Sequence, residues 1–208
     1  RVLLTELMYH PVDEQDFEDQ HEFVELHNAG DLSADLTGWA FDDGLSFTFG
    51  PTTLAPGETL IVAANPALLA DVYDLSAVTV LGPYDGRLDN GGENLRLVDA
   101  DGATVDELRY DDEPPWPIGP DALGASDPWL PADSVPADAH ALRGRSLQRL
   151  TVDGPSDDPK TWGASALDAA DPGSVATVAT GVAPGIVVAT WWNDGSGGSL
   201  PPDQPALL

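Results

Sequence analysis

Apolar and polar positions alternate over short stretches through the first half of the chain. Val2–Tyr9 (VLLTELMY) and Glu22–His27 (EFVELH) carry the two-residue period of half-buried strands. Further β-like runs stand at Leu45–Phe49, Thr59–Ala64, Val78–Leu81, Asn94–Val98 and Thr104–Tyr110. Turn signals separate them: Asn28-Ala29-Gly30, Asp43-Gly44, Pro56-Gly57, Asn90-Gly91-Gly92 and Asp101-Gly102. LRLVDADGATVDELRY predicts a β-hairpin with Asp101-Gly102 at the positive-φ positions of a tight turn. One helix is predicted, Pro66–Tyr73, capped by Asn65 and opened by a proline at its first position. Many short strands with Gly/Pro turns predict an all-β sandwich. No alternation of strands with long helices is present, which argues against a parallel-sheet nucleotide-binding fold.

Beyond Tyr110 the pattern changes. Residues 111–143 hold seven prolines among small and acidic residues and read as a long surface excursion. Order resumes at Arg145–Leu150 (RSLQRL), then an acidic loop and Trp162 follow. From about Ala164 the chain becomes Ala/Asp/Gly/Pro-rich, the composition of a linker. Ile186–Trp192 (IVVATWW) predicts one late apolar strand, either an edge of the sandwich or the first strand of a following domain.

Charge narrows the function classes. Eight Lys+Arg against 36 Asp+Glu give a formal net charge of −28. Such a surface repels nucleic-acid phosphates and anionic membranes. Arg87, Arg96 and Arg109 are scattered singly. Arg143, Arg145 and Arg149 cluster, but between acidic loops, where pairing with carboxylates is the plainer role. Cysteine is absent, which removes disulfides, thiol catalysis and cysteine zinc sites. No apolar run approaches 18 residues, so no membrane span is expected. The sole methionine is Met8, so residue 1 is expected to follow a processing event or a boundary in a larger protein. Carboxylate excess with one lysine, Lys160, also fits a protein working in salt.

The motifs in order resemble the lamin-tail domain, found in nuclear lamins and in many secreted bacterial proteins. LLTELMYHP, HEFVELHNAG and DLTGWAFDDG are followed by TTLAPGETLIVAANP and by VLGPYDGRLDNGGENLRLVDADGATVDELRY. PPWP, RSLQRL, DDPKTW and ADPGS close the series. Departures are an insertion at about 118–143, the acidic DEQDFEDQ loop, and Ser174-Val175 where the family pattern has an Asn. The resemblance implies an immunoglobulin-like β-sandwich over residues 1–175, with long loops, and a flexible C-terminal extension at 176–208. It also implies no catalytic residues. Trp39 is expected to anchor the core, with Trp116 and Trp162 pinning loops onto the sandwich.

Candidate chemistry is sparse. His10, His21, His27 and His140 lack zinc-motif spacing, and no GxSxG elbow, P-loop or dinucleotide fingerprint occurs. His27 reads as an ordinary surface or edge residue, and Ser146 has no partner at a suggestive position. Glu6 and Glu25 sit mid-strand. If their strands pair, the two carboxylates come close, and a Ca²⁺ ion, an arginine or hydrogen-bond donors would relieve the repulsion. Asp13, Asp16 and Asp19 belong to an oxygen-rich loop of the kind hard cations favour. A solvated charge run is the plainer reading of it. Ca²⁺ is therefore the one cofactor that the sequence suggests. Trp129, Trp191 and Trp192 could stack on sugar rings.

The expectation is a non-enzymatic structural or interaction module of a larger secreted or surface-attached bacterial protein. Its partners would be neighbouring domains or extracellular polymers. A carbohydrate-binding module is the alternative.

Overall fold

The structure is a computed structural model that describes residues 1–11, 18–120 and 145–165. Strands run in chain order β1 (Val2–Met8), β2 (Phe23–Asn28), β3 (Ala34–Asp35), β4 (Ala40–Asp43), β5 (Phe47–Thr48), β6 (Thr53–Leu54) and β7 (Thr59–Ala63). Helix α1 (Pro66–Val72) precedes β8 (Thr79–Leu81), β9 (Asn94–Val98), β10 (Thr104–Arg109), β11 (Leu147–Arg149) and β12 (Trp162–Ala164). A six-stranded sheet, ordered β12-β11-β1-β2-β7-β8, is antiparallel apart from the β7/β8 pair. A four-stranded sheet, β10-β9-β4-β5, and a two-stranded one, β3-β6, complete the β structure.

The two larger sheets share one apolar core. Leu4, Val24 and Leu60 contribute from the first, and Phe41, Leu95 and Leu108 from the second. A smaller core on the opposite face of the six-stranded sheet packs Leu69 of α1 on Met8, Phe23, Ile61 and Ala63. This explains why β2 and β7 are apolar at nearly every position: both of their faces are covered.

β1 shows how the pattern encodes an irregularity. Leu4 and Leu7 both join the main core although they are three residues apart, which a regular strand forbids. The register shifts between Leu4 (opposite Leu26) and Glu6 (opposite Glu25), so Thr5 is the extra residue of a bulge. The bulge restores the inward face for Leu7 and puts Glu6 on the other side.

Helix α1 forms as predicted, with the Asn65 side chain accepting from Leu68 N. Asn90–Glu93 is a sharp turn, and Gly92 adopts φ +94°, where an added Cβ would stand 2.5 Å from Tyr110 O. Four expectations are corrected. The β9/β10 connection is the longer loop Asp99–Ala103, because the Asp99 carboxylate accepts from both Asp101 N and Ala103 N; positive φ falls on Gly102. Trp39 is half-buried, and Leu36, Phe41 and Phe49 anchor that region instead. His27 is not on an edge, since β2 lies between β1 and β7. Only Phe47–Thr48 of the run predicted at Leu45–Phe49 is strand. Trp116 and Trp162 are buried in the main core, 8 % and 3 % exposed, and pin their loops as expected.

Candidate functional site

Three knots of buried polar groups organise the domain. The largest joins the two main sheets. Asp106 lies opposite Leu97 on β10, so its side chain shares the inward face, and Arg149 on β11 lies opposite the buried Trp162. The two meet across the sandwich, Arg149 Nη1 3.6 Å from Asp106 Oδ2, with side chains 1 % and 10 % exposed. The guanidinium donates to the carbonyls of Thr151 (2.8 Å), Gly154 (2.9 Å) and Leu4 (3.3 Å) and to Ser156 Oγ (2.6 Å). Its carbon centre lies 5.8 Å from the centroid of the Trp162 ring. Asp106 accepts from Leu4 N at 2.9 Å and from the Ser156 hydroxyl, while Trp162 Nε1 donates to Ser156 O at 2.7 Å. Burial lowers the Arg149 pKa and Asp106 opposes that shift, Arg1 adding slightly to the lowering. The planar fork serves four acceptors at once, more than the three N–H donors of an ammonium group could.

The second knot contains the mid-strand glutamates. Strands β1 and β2 pair so that Glu6 and Glu25 face one another, 1 % and 0 % exposed. The bulge residue Thr5 donates its hydroxyl to Glu25 Oε1 at 2.6 Å. Glu6 Oε1 accepts from the Ser146 hydroxyl and from Gln148 Nε2 at 3.2 Å. Buried carboxyl groups require such donors, and these hydrogen bonds tie the pair to β1 and β11. Among the described residues no group of three or more His, Cys, Asp or Glu is arranged to hold a metal ion. Asp13 and Asp16 lie outside the described residues, as do Trp129, Trp191 and Trp192; Asp19 falls in a short 3-10 turn at Glu18–His21.

The third knot fastens the two ends of β2, through Glu22 before it and Asn28 at its close. Glu22, 1 % exposed, accepts from the Tyr84 hydroxyl (2.7 Å) and Leu88 N (2.9 Å), fastening the loop after β8 to the start of β2. Asn28, wholly buried, donates to the carbonyls of Leu32 and Leu54 and accepts from Gly30 N. The sequence carried a signal for Asn28 in its Asn-Ala-Gly turn, but none for Glu22, whose partners are over 60 residues away.

The exposed side of the four-stranded sheet is polar. Arg96 makes a two-pronged contact with Asp42 (2.8 and 3.2 Å). Asn94 Nδ2 donates to Asp43 and Glu107. Nearby Glu93 is half-buried. Burial raises its pKa and the charges of Asp89 and Asp43 add to the rise, whereas hydrogen bonds from Asp89 N and the Tyr110 hydroxyl oppose it. Ser146 spends its hydroxyl on Glu6. No membrane-crossing helix occurs among the described residues.

Two packed, mainly antiparallel sheets, with buried ionisable groups tied to structural donors and acceptors, define an immunoglobulin-like sandwich of the structural and interaction class. The Lamin Tail Domain family matches residues 1–112, more than half of the chain, and the protein belongs to that family. The family is a non-catalytic, immunoglobulin-like domain. No curated protein matches the chain.

Proposed function

We propose that this domain is a non-catalytic interaction module of a larger secreted or surface-attached bacterial protein, serving adhesion, anchoring or the positioning of neighbouring domains. The observation that supports this most is the use made of the buried ionisable groups. Arg149, Asp106, Glu6, Glu22 and Glu25 are each engaged in bonds that hold strands or loops together. The chain as a whole carries a large carboxylate excess, suited to basic or cation-bridged partners rather than to phosphate-bearing ones.

The test is retention of the purified full chain on bacterial envelope preparations and on insoluble polysaccharides, at physiological salt with and without CaCl₂. Retention on envelopes that survives washing with soluble sugar supports the module reading. Retention on polysaccharide alone, competed by soluble sugar, replaces it with carbohydrate recognition. Passage through every matrix removes adhesion and leaves domain positioning.

A further inference from the structure

The family match ends at residue 112, yet two strands of the main sheet and the buried Trp162 come from residues 145–165. This piece occupies one side of β1, pairing Leu147 with Leu7 and Gln148 with Glu6. It adds a guanidinium that reaches through to Asp106 on the opposite sheet. Without it, β1 would be an edge strand with unpaired backbone groups. Asp106 would also be a mostly buried carboxylate without its cation.

The way the piece is joined to the rest is informative. An added Cβ on Gly119 would stand 2.8 Å from Ala164 Cβ and 3.5 Å from Arg145 Cδ, so the chain leaving the body and the chain returning to it lie side by side. The intervening segment 121–144 connects adjacent points, and loop-closure entropy depends only weakly on such a length. Its connection does not dictate the register or the orientation of β11. The contacts do.

We propose that the open side of β1 together with Asp106 forms a strand-acceptor socket, and that Arg145–Ser165 is its ligand, held by recognition rather than by its tether. The recognised chemistry is a short antiparallel strand pair that carries one inward guanidinium beside an inward indole. Backbone pairing to β1 supplies the docking direction. The Arg149–Asp106–Ser156 contact supplies selectivity, because an alternative strand lacking the guanidinium leaves the socket carboxylate buried and unpaired. A register slip of one residue would turn Arg149 outward and Gln148 inward, so the charge also fixes the register. In consequence, a chain cut within 121–144 remains one folded, two-piece domain.

The experiment places a single sequence-specific protease site within 121–144 of the full chain and cleaves it. Gel filtration in native buffer is expected to return the two pieces together, with separation in denaturant and reassembly on its removal. Separation in native buffer overturns the proposal. The guanidinium's part is read from the dissociation rate of nicked chains. Asp106→Asn is expected to release the pieces about thirtyfold faster or more, as when one member of a buried charge pair is truncated. The exposed neighbour Glu107→Gln is expected to leave the rate unchanged. Equal rates for Asp106→Asn and the parent overturn charge recognition. Ser156→Ala, which removes only the hydroxyl joining the two charged groups, provides the same comparison should Asp106→Asn fail to fold.

Discussion

Replacing Arg149 with methionine isolates the contribution of the guanidinium, because methionine keeps much of the unbranched stem that packs in the core. In the parent the group contacts three carbonyls, one hydroxyl and one carboxylate, and is 1 % exposed. Two effects compete. Freeing the protein from burying a cation is favourable, and whole buried ion pairs exchanged for apolar groups are often neutral. Here only one partner is removed. Asp106 stays behind, 10 % exposed, and carbonyls selected to face a cation lose their donor. Stranding a buried charge costs about 3–5 kcal/mol, and the second effect wins. For a chain of this length that corresponds to a midpoint lowered by about 6–20 °C. The assay is urea unfolding followed by tryptophan fluorescence, with calorimetry alongside. A double-mutant cycle with Asp106→Asn is expected to show coupling of about 1–3 kcal/mol, the double variant losing less than the sum of the singles. Stability of Arg149→Met within about 0.5 kcal/mol of the parent, the range of ordinary surface changes, or an additive cycle, would refute the reasoning.

Other consequences are simpler to state. Asn28→Ala deletes three hydrogen bonds at a fully buried site and is expected to cost about 3 kcal/mol in urea unfolding, with Asn28→Asp also destabilising because it loses both donated bonds. Glu93 has its pKa raised by folding, so the native state holds that proton more tightly. Its contribution is present below the unfolded pKa of about 4.3 and is lost as pH rises through the folded value. Glu93→Gln is therefore expected to raise the midpoint at pH 7 and leave it unchanged at pH 3.5, a flat difference between the two removing the argument. His27 has the opposite linkage: burial lowers its pKa, so acidification below about 6.5 costs stability, and His27→Gln should flatten that slope between pH 7.5 and 5.5. Because like charges crowd a chain of net charge −28, NaCl is expected to raise the midpoint progressively; a midpoint independent of salt would show that this repulsion is unimportant.

The strands longest in the sequence pattern were the easiest to read. Val2–Tyr9, Thr59–Ala64, Asn94–Val98 and the Asn65-capped helix are local objects, set by periodicity and turn residues within a few positions. The two-residue strands at Ala34–Asp35 and Thr53–Leu54 escaped notice because so short a segment has no period, and only its pairing makes it a strand. The Trp39 expectation held only in part. A large aromatic after a turn glycine signals burial, and Trp39 does pack against the main core, but it stays half-buried where Leu36, Phe41 and Phe49 are fully covered.

By itself the sequence determined the all-β class, the family resemblance, the charge and the absence of familiar catalytic motifs. These are properties of composition and short-range order. Tertiary structure alone decided which polar residues lie inside. Arg149 and Arg96 both stand in short strand-like runs with leucine neighbours, yet one is buried and the other bridges Asp42 in solvent. Glu22 and Glu25 stand among many carboxylates, and only tertiary packing brings them their donors, from the loop after β8 for Glu22 and from the bulge of β1 for Glu25. The physical reason is that desolvation depends on what packs overhead. That covering is supplied by segments tens of residues away, with no trace in the local pattern.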